Sequence, residues 1–155
     1  MSLKFLLDTN VLIALTETGH VHHRRAQEWL NSLRSQVWGI CPLTEAGFLR
    51  IVTNARSYSD PHNLAEAAAI LQVIKGYPRF IYWSINESWV NLTASFASRI
   101  SGHQQVTDAY LLGVAIQGDG VLVTFDRGIR YMAGAEFSRN VLILQKANGP
   151  HDQTE

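Results

Sequence analysis

Four short runs of apolar and β-branched residues, at 3–7, 37–41, 80–83 and 120–124, with a fifth at 141–144, constrain this chain more than any other feature. Each is continuous rather than alternating, the pattern of a strand covered on both faces. Between them lie segments whose apolar residues recur at helical spacing. Residues 22–33 put Ala26, Trp29, Leu30 and Leu33 on one stripe, and 44–52 do the same with Phe48, Leu49 and Val52. Residues 63–74 carry Leu64, Ala67, Leu71 and Ile74 in register, and 89–100 and 108–116 complete the set. Strands alternating with helices predict an α/β fold: a central, mainly parallel sheet of four to five strands with helices on both faces.

A length of 155 residues suits one domain. The boundaries expected are a folded unit over 1–146 and a loose tail over 147–155, where ANGPHDQTE lacks apolar content. Apolar residues make up 46% and charged residues 17%, so a core can form without disulfides or a structural metal. The single cysteine, Cys41, has no partner for an internal disulfide, which fits a reducing compartment, and its expected role is core packing. No apolar stretch reaches the ~20 residues needed to span a bilayer, and the first residues have no signal-peptide pattern. A soluble, cytoplasmic protein is expected. Its 13 basic and 13 acidic residues argue against a whole-surface grip on nucleic acid, though not against a local one.

The placement of four acids is the main functional signal. In open parallel sheets, ligands bind beyond the carboxyl ends of the strands. Asp8 ends the first strand in FLLDTN, and Asp126 follows another in VLVTFD. Glu45 stands four residues after the strand 37–41, early in the next helix. Asp108 sits near the start of the apolar helix TDAYLLGVAI, where the helix dipole favours a carboxylate. If the four converge, ionised carboxylates ~5 Å apart repel by about 3 kcal/mol per pair at an effective dielectric near ~20. All pairs together approach an upper bound of roughly 20 kcal/mol, more than the ~5–15 kcal/mol by which a small domain is stable. Such a cluster must take up protons, relax or hold cations. Hard oxygen donors suit Mg²⁺ or Mn²⁺ better than zinc, and one or two such ions would serve phosphodiester hydrolysis.

The same residues carry a family resemblance. LLDTNVLIAL at 6–15, HHRRAQEWL at 22–30, LTEAGFLRIVTN at 43–54, TDAYLLGVAI at 107–116 and VTFDRG at 123–128 follow one another as in the PIN domain, and the chain resembles its VapC-like toxins of bacterial toxin–antitoxin pairs. The resemblance covers nearly the whole chain. It implies a metal-dependent endoribonuclease that cleaves cellular RNA, forms homodimers and is blocked by a cognate VapB-like antitoxin laid over its active-site groove. The family's acidic quartet maps onto Asp8, Glu45, Asp108 and Asp126. Asn10 and Thr124 fall where polar residues often support the metal.

Asp8 and Asp126 could serve as turn residues, Asp108 as a helix-start residue and Glu45 as part of a solvated face. His20, His22 and His23 do not share a helical face, so a helix start with one ring against the core is expected rather than a metal site. His103 reads as a loop residue near the pocket. Arg50, Arg127 and Arg130 are surface arginines with the option of phosphate contact. Trp29, Trp38, Trp83 and Trp89 read as packing residues. The segments 55–63 and 20–25 are candidates for substrate or antitoxin contact. Two other functions compete. A haloacid-dehalogenase-like phosphatase would need a second aspartate two residues after the first, where this chain has Asn10. An inactive PIN-like scaffold would ordinarily have lost some of the acids.

Overall fold

The computed structural model describes residues 3–145, so the tail expected at 147–155 lies outside the described residues. The strands are β1 (Lys4–Leu7), β2 (Val37–Ile40), β3 (Phe80–Tyr82), β4 (Val121–Thr124) and β5 (Val141–Ile143). Each starts and stops within one residue of the apolar run that predicted it. They form one fully parallel sheet in the order β3-β2-β1-β4-β5.

The helices are α1 (Thr9–Thr16), α2 (His23–Ser32), α3 (Pro42–Val52), α4 (Leu64–Lys75), α5 (Trp89–Thr93), α6 (Val106–Gln117) and α7 (Gly128–Ala133). Successive strand residues face opposite ways, and the cores divide accordingly. Phe5, Leu7, Val121 and Val123 join a core built with α1 to α4. Leu6 and Leu122 join a second core built with α5, α6 and α7. Cys41 belongs to the second core and is fully buried. The inner strands are therefore apolar apart from Lys4 at the start of β1 and Thr124 at the end of β4, while the edge strands β3 and β5 are only partly covered.

The chain steps outward from β1 through β2 to β3, then returns to lay β4 on the other side of β1. The direction of winding thus reverses between β1 and β4, which opens a crevice at their carboxyl ends. Asp8 and Thr124 stand at that point.

The structure adds two helices that the periodicity does not show and shortens a third. Helix α1 was not read from the periodicity, because VLIAL (Val11 to Leu15) is buried on every side and shows no polar stripe. The helix expected over 89–100 stops at Thr93. A 3₁₀ stretch (Ala94–Arg99) follows, in which Phe96 leaves helical geometry at φ −130° and ψ 16° with its ring fully buried. Helix α7 has only six residues, too short for a periodic signal.

Gly39 lets β2 and β3 meet closely. A Cβ built there would lie 1.5 Å from the Ile81 carbonyl oxygen. Gly39→Ala should therefore cost about 3 kcal/mol or more through overpacking against backbone, read as a lower urea midpoint. An unchanged midpoint would show that the two strands can separate without loss.

Candidate active site

The site is built outward from Asp8. Its backbone N–H donates to the Val123 carbonyl at 2.9 Å, extending the β1–β4 ladder by one bond. Its side chain then caps α1, accepting from the Thr9 N–H at 2.7 Å. The other carboxylate oxygen accepts from the Thr124 hydroxyl, also at 2.7 Å. That hydroxyl in turn accepts from the Asp126 N–H at 3.0 Å, so one side chain ties Asp8 to the backbone of Asp126. Asp126 bends the chain into α7 by accepting from the Gly128 N–H at 2.8 Å. Asp8 is 7% exposed. Burial pushes its carboxyl above the usual carboxylate range, opposed by the bonds from Thr124 and Thr9 and reinforced by the charge of Asp126.

Asp108 stands in the first turn of α6. Its carboxyl is pushed up to about 6 by burial first, then by the charges of Asp8 and Asp126. The three aspartates thus share one electrostatic field, though they come from the ends of two strands and the start of a helix. Asp108 and Asp126 line a cleft of 440 Å³ whose other wall is the segment from Ser101 to Gln105, including His103. Gln105 was not singled out from the sequence. Its amide oxygen accepts from the Ser101 N–H at 2.8 Å and hydroxyl at 2.9 Å, folding that wall onto itself. A somewhat larger cleft of 480 Å³ lies between α2 and α4, lined by residues such as Leu30, Ile70 and Val73 without a carboxylate among them. Chemistry, not size, selects the first cleft.

Glu45 is oriented differently. It lies in the first turn of α3, beside β1, because the Thr44 hydroxyl donates to the Leu7 carbonyl at 3.0 Å. Its carboxylate is held elsewhere: Lys75 Nζ lies 2.9 Å from one oxygen, and the Tyr82 hydroxyl donates to the other at 2.7 Å. The Lys75 ammonium also stands 5.3 Å from the Tyr82 ring centroid. Burial and the Glu45 bond push the Tyr82 hydroxyl up to about 12, so it remains a donor. Neither Lys75 nor Tyr82 could be found by spacing, since they come from the end of α4 and of β3.

The donor set consists of hard carboxylate oxygens, which suits a divalent cation such as Mg²⁺. Asn10, in the first turn of α1 after Asp8, has a buried side-chain oxygen without a hydrogen-bond partner among the described residues. No three His, Cys, Asp or Glu side chains among the described residues converge on one point as a closed metal cage. Mg²⁺ ordinarily takes one or two carboxylates with water completing its shell, and Asp108 and Asp126, which line the cleft, would be the residues to hold it.

His22 and His23 make packing and backbone contacts. His23 opens α2 with its ring 2.7 Å from the Ala14 carbonyl, and His22 stacks on Phe125 at 4.7 Å. Arg127 and Arg130 line a separate cleft of 280 Å³ with Ile143 and Gln145. Within 55–63, His62 bridges Glu17 at 2.9 Å and Glu66 at 3.2 Å.

A raised carboxyl pKa disfavours the folded state once the group ionises. The stability linked to Asp108 is complete below about pH 4, its unfolded range, and is lost as pH rises through about 6. Metal-free Asp108→Asn should therefore have a higher urea midpoint than the parent at pH 8 and little difference at pH 4. Equal midpoints at both values would remove the charge coupling.

The comparisons with known proteins agree with this architecture. A family model for the PIN domain matches residues 5–135. Ribonuclease VapC44 of Mycobacterium tuberculosis is 37% identical over 131 residues, covering 84% of this chain and 92% of that protein. Among solved structures, M. tuberculosis VapC20, a Sarcin-Ricin loop cleaving toxin, superposes with a TM-score of 0.62 at 14% identity, over 85% of this chain and 97% of its own. A toxin–antitoxin complex from Klebsiella pneumoniae gives 0.56 at 17% identity, over 92% of this chain and 98% of the matched one. With the sheet order, the carboxylate-lined crevice and these matches in hand, the chain belongs to the PIN-domain family and is one of its VapC-like members.

Proposed function

We propose that this protein is a divalent-metal-dependent endoribonuclease toxin, restrained by a cognate VapB-like antitoxin. The observation that carries the reading is the shared field of Asp8, Asp108 and Asp126, which burial and mutual repulsion make costly unless a cation is present. Support comes also from the relatives: VapC44 is named a ribonuclease, VapC20 cleaves the Sarcin-Ricin loop, and the Klebsiella structure is a toxin–antitoxin complex. No helix among the described residues is long and apolar enough to cross a membrane. A homodimer remains part of the proposal.

In this reading Asp8 and Asp108 are the principal ligands of one or two Mg²⁺ or Mn²⁺ ions, with Asp126 completing the site or holding a water. The ion would polarise the phosphodiester and lower the pKa of a water at neutral pH. Thr124 orients Asp8 by donating to it and fixes the Asp126 backbone, as outer partners of metal ligands do. Asn10 offers a further oxygen. Arg127 and Arg130 follow Asp126 in sequence and would meet neighbouring phosphates. Glu45 completes the acidic set by orienting water or reaching a second ion.

Purified protein should cleave RNA in Mg²⁺ or Mn²⁺ and lose that activity in EDTA. Asp8→Asn should abolish cleavage while keeping the fold, because Asn also caps helices well. Full cleavage by that variant, prepared alongside the parent to expose a contaminating nuclease, would remove Asp8 from the mechanism.

A further inference from the structure

Glu45 presents a conflict between where its backbone lies and where its carboxylate goes. The first turn of α3 is tied beside Asp8. Besides the Thr44 bond to Leu7, a Cβ at Gly47 would lie 2.7 Å from the Thr9 hydroxyl, so α3 and the start of α1 touch. The carboxylate, however, is drawn toward β3, which lies two strands from β1 and three from β4. Both of its oxygens are occupied there, one by an ammonium and one by a phenol.

Two consequences follow from simple electrostatics. A carboxylate paired with Lys75 adds little to the negative field of the aspartates. Each oxygen keeps a further lone pair, but the two contacts fix the carboxylate beside β3 until its partners let go. The Lys75 side chain is 33% exposed, so its ammonium can be reached from solution. A phosphodiester is a strong competitor for it, since charge-assisted bonds to phosphate are at least as good as those to carboxylate.

We propose that Lys75 and Tyr82 are positioning residues that hold Glu45 off the aspartate cluster in the RNA-free protein, and that a substrate phosphate, by taking over the Lys75 ammonium, releases Glu45 toward the metal. The inference rests on the ribonuclease reading above, but its first test does not use RNA. Charge is conserved in the exchange: the ammonium trades one anion for another, and no proton moves.

The test is Mn²⁺ binding to RNA-free protein, followed by electron paramagnetic resonance, for the parent, Lys75→Met, Glu45→Gln and the double variant. Lys75→Met keeps the apolar stem over Tyr82 and frees Glu45. It should bind Mn²⁺ about tenfold more tightly, the scale on which outer partners tune metal sites. The gain should vanish in the Glu45→Gln background, where no carboxylate is released. Lys75→Met should also raise KM for RNA several-fold with a smaller change in kcat. Unchanged or weaker Mn²⁺ binding, or a gain that survives in the double variant, would overturn the proposal. An unchanged KM would overturn the part given to the phosphate. Should Lys75→Met fail to fold, Tyr82→Phe removes the other hold and should tighten Mn²⁺ binding in the same direction, an unchanged affinity overturning the proposal. A parent that cleaves no RNA would sink the ribonuclease reading while leaving the Mn²⁺ comparison interpretable.

Discussion

The pairing of β1 with β4 is the contact on which the rest depends. These strands are separated by more than a hundred residues, yet Phe5, Leu6 and Leu7 lie in register with Val121, Leu122 and Val123. Their side chains feed both cores, so burial on the two faces holds the register: a slip by one residue would exchange the cores. The Asp8 N–H bond to Val123 is the last rung of this ladder. One step further, the Thr124 hydroxyl reaches Asp8, and the site begins where the sheet ends. A hydrophobic constraint thereby places a polar one.

The polar arrangement gains its character from burial. Asp8 has almost no contact with solvent and Asp108 is partly covered, so charges that water would screen are felt between side chains from distant parts of the chain. Hydrogen bonds from Thr9 and Thr124 offset part of that cost at Asp8. The fourth acid is treated differently. Glu45 is neutralised by Lys75 and kept out of the field, which lowers the repulsion the folded protein must bear. The structure thus divides four similar carboxylates into three that strain against one another and one that does not.

Much of this was legible in the sequence, for identifiable reasons. The strands were, because a strand covered on both faces reads as a short, continuous apolar run rich in β-branched residues. The placement of Asp8 and Asp126 was, because both follow such runs directly. Helix α1 was not, since a helix buried all round has no polar stripe to mark its period. The break after Thr93 was not either. It answers to Phe96, whose ring is fully buried in the second core, and local propensity carries no information about that packing.

What the amino-acid order determined by itself is the alternation of strands and helices, the single parallel sheet and the delivery of acids to its carboxyl edge. These follow from periodicity and from short-range position, which a linear chain carries in full. What only the tertiary structure decided is where each carboxylate points. Thr124 faces Asp8 because two strands pair across the whole chain, and Glu45 turns to Lys75 and Tyr82 because α4 and β3 end beside it. Side-chain direction is set by partners brought from elsewhere, and their distances in sequence obey no period that could have revealed them.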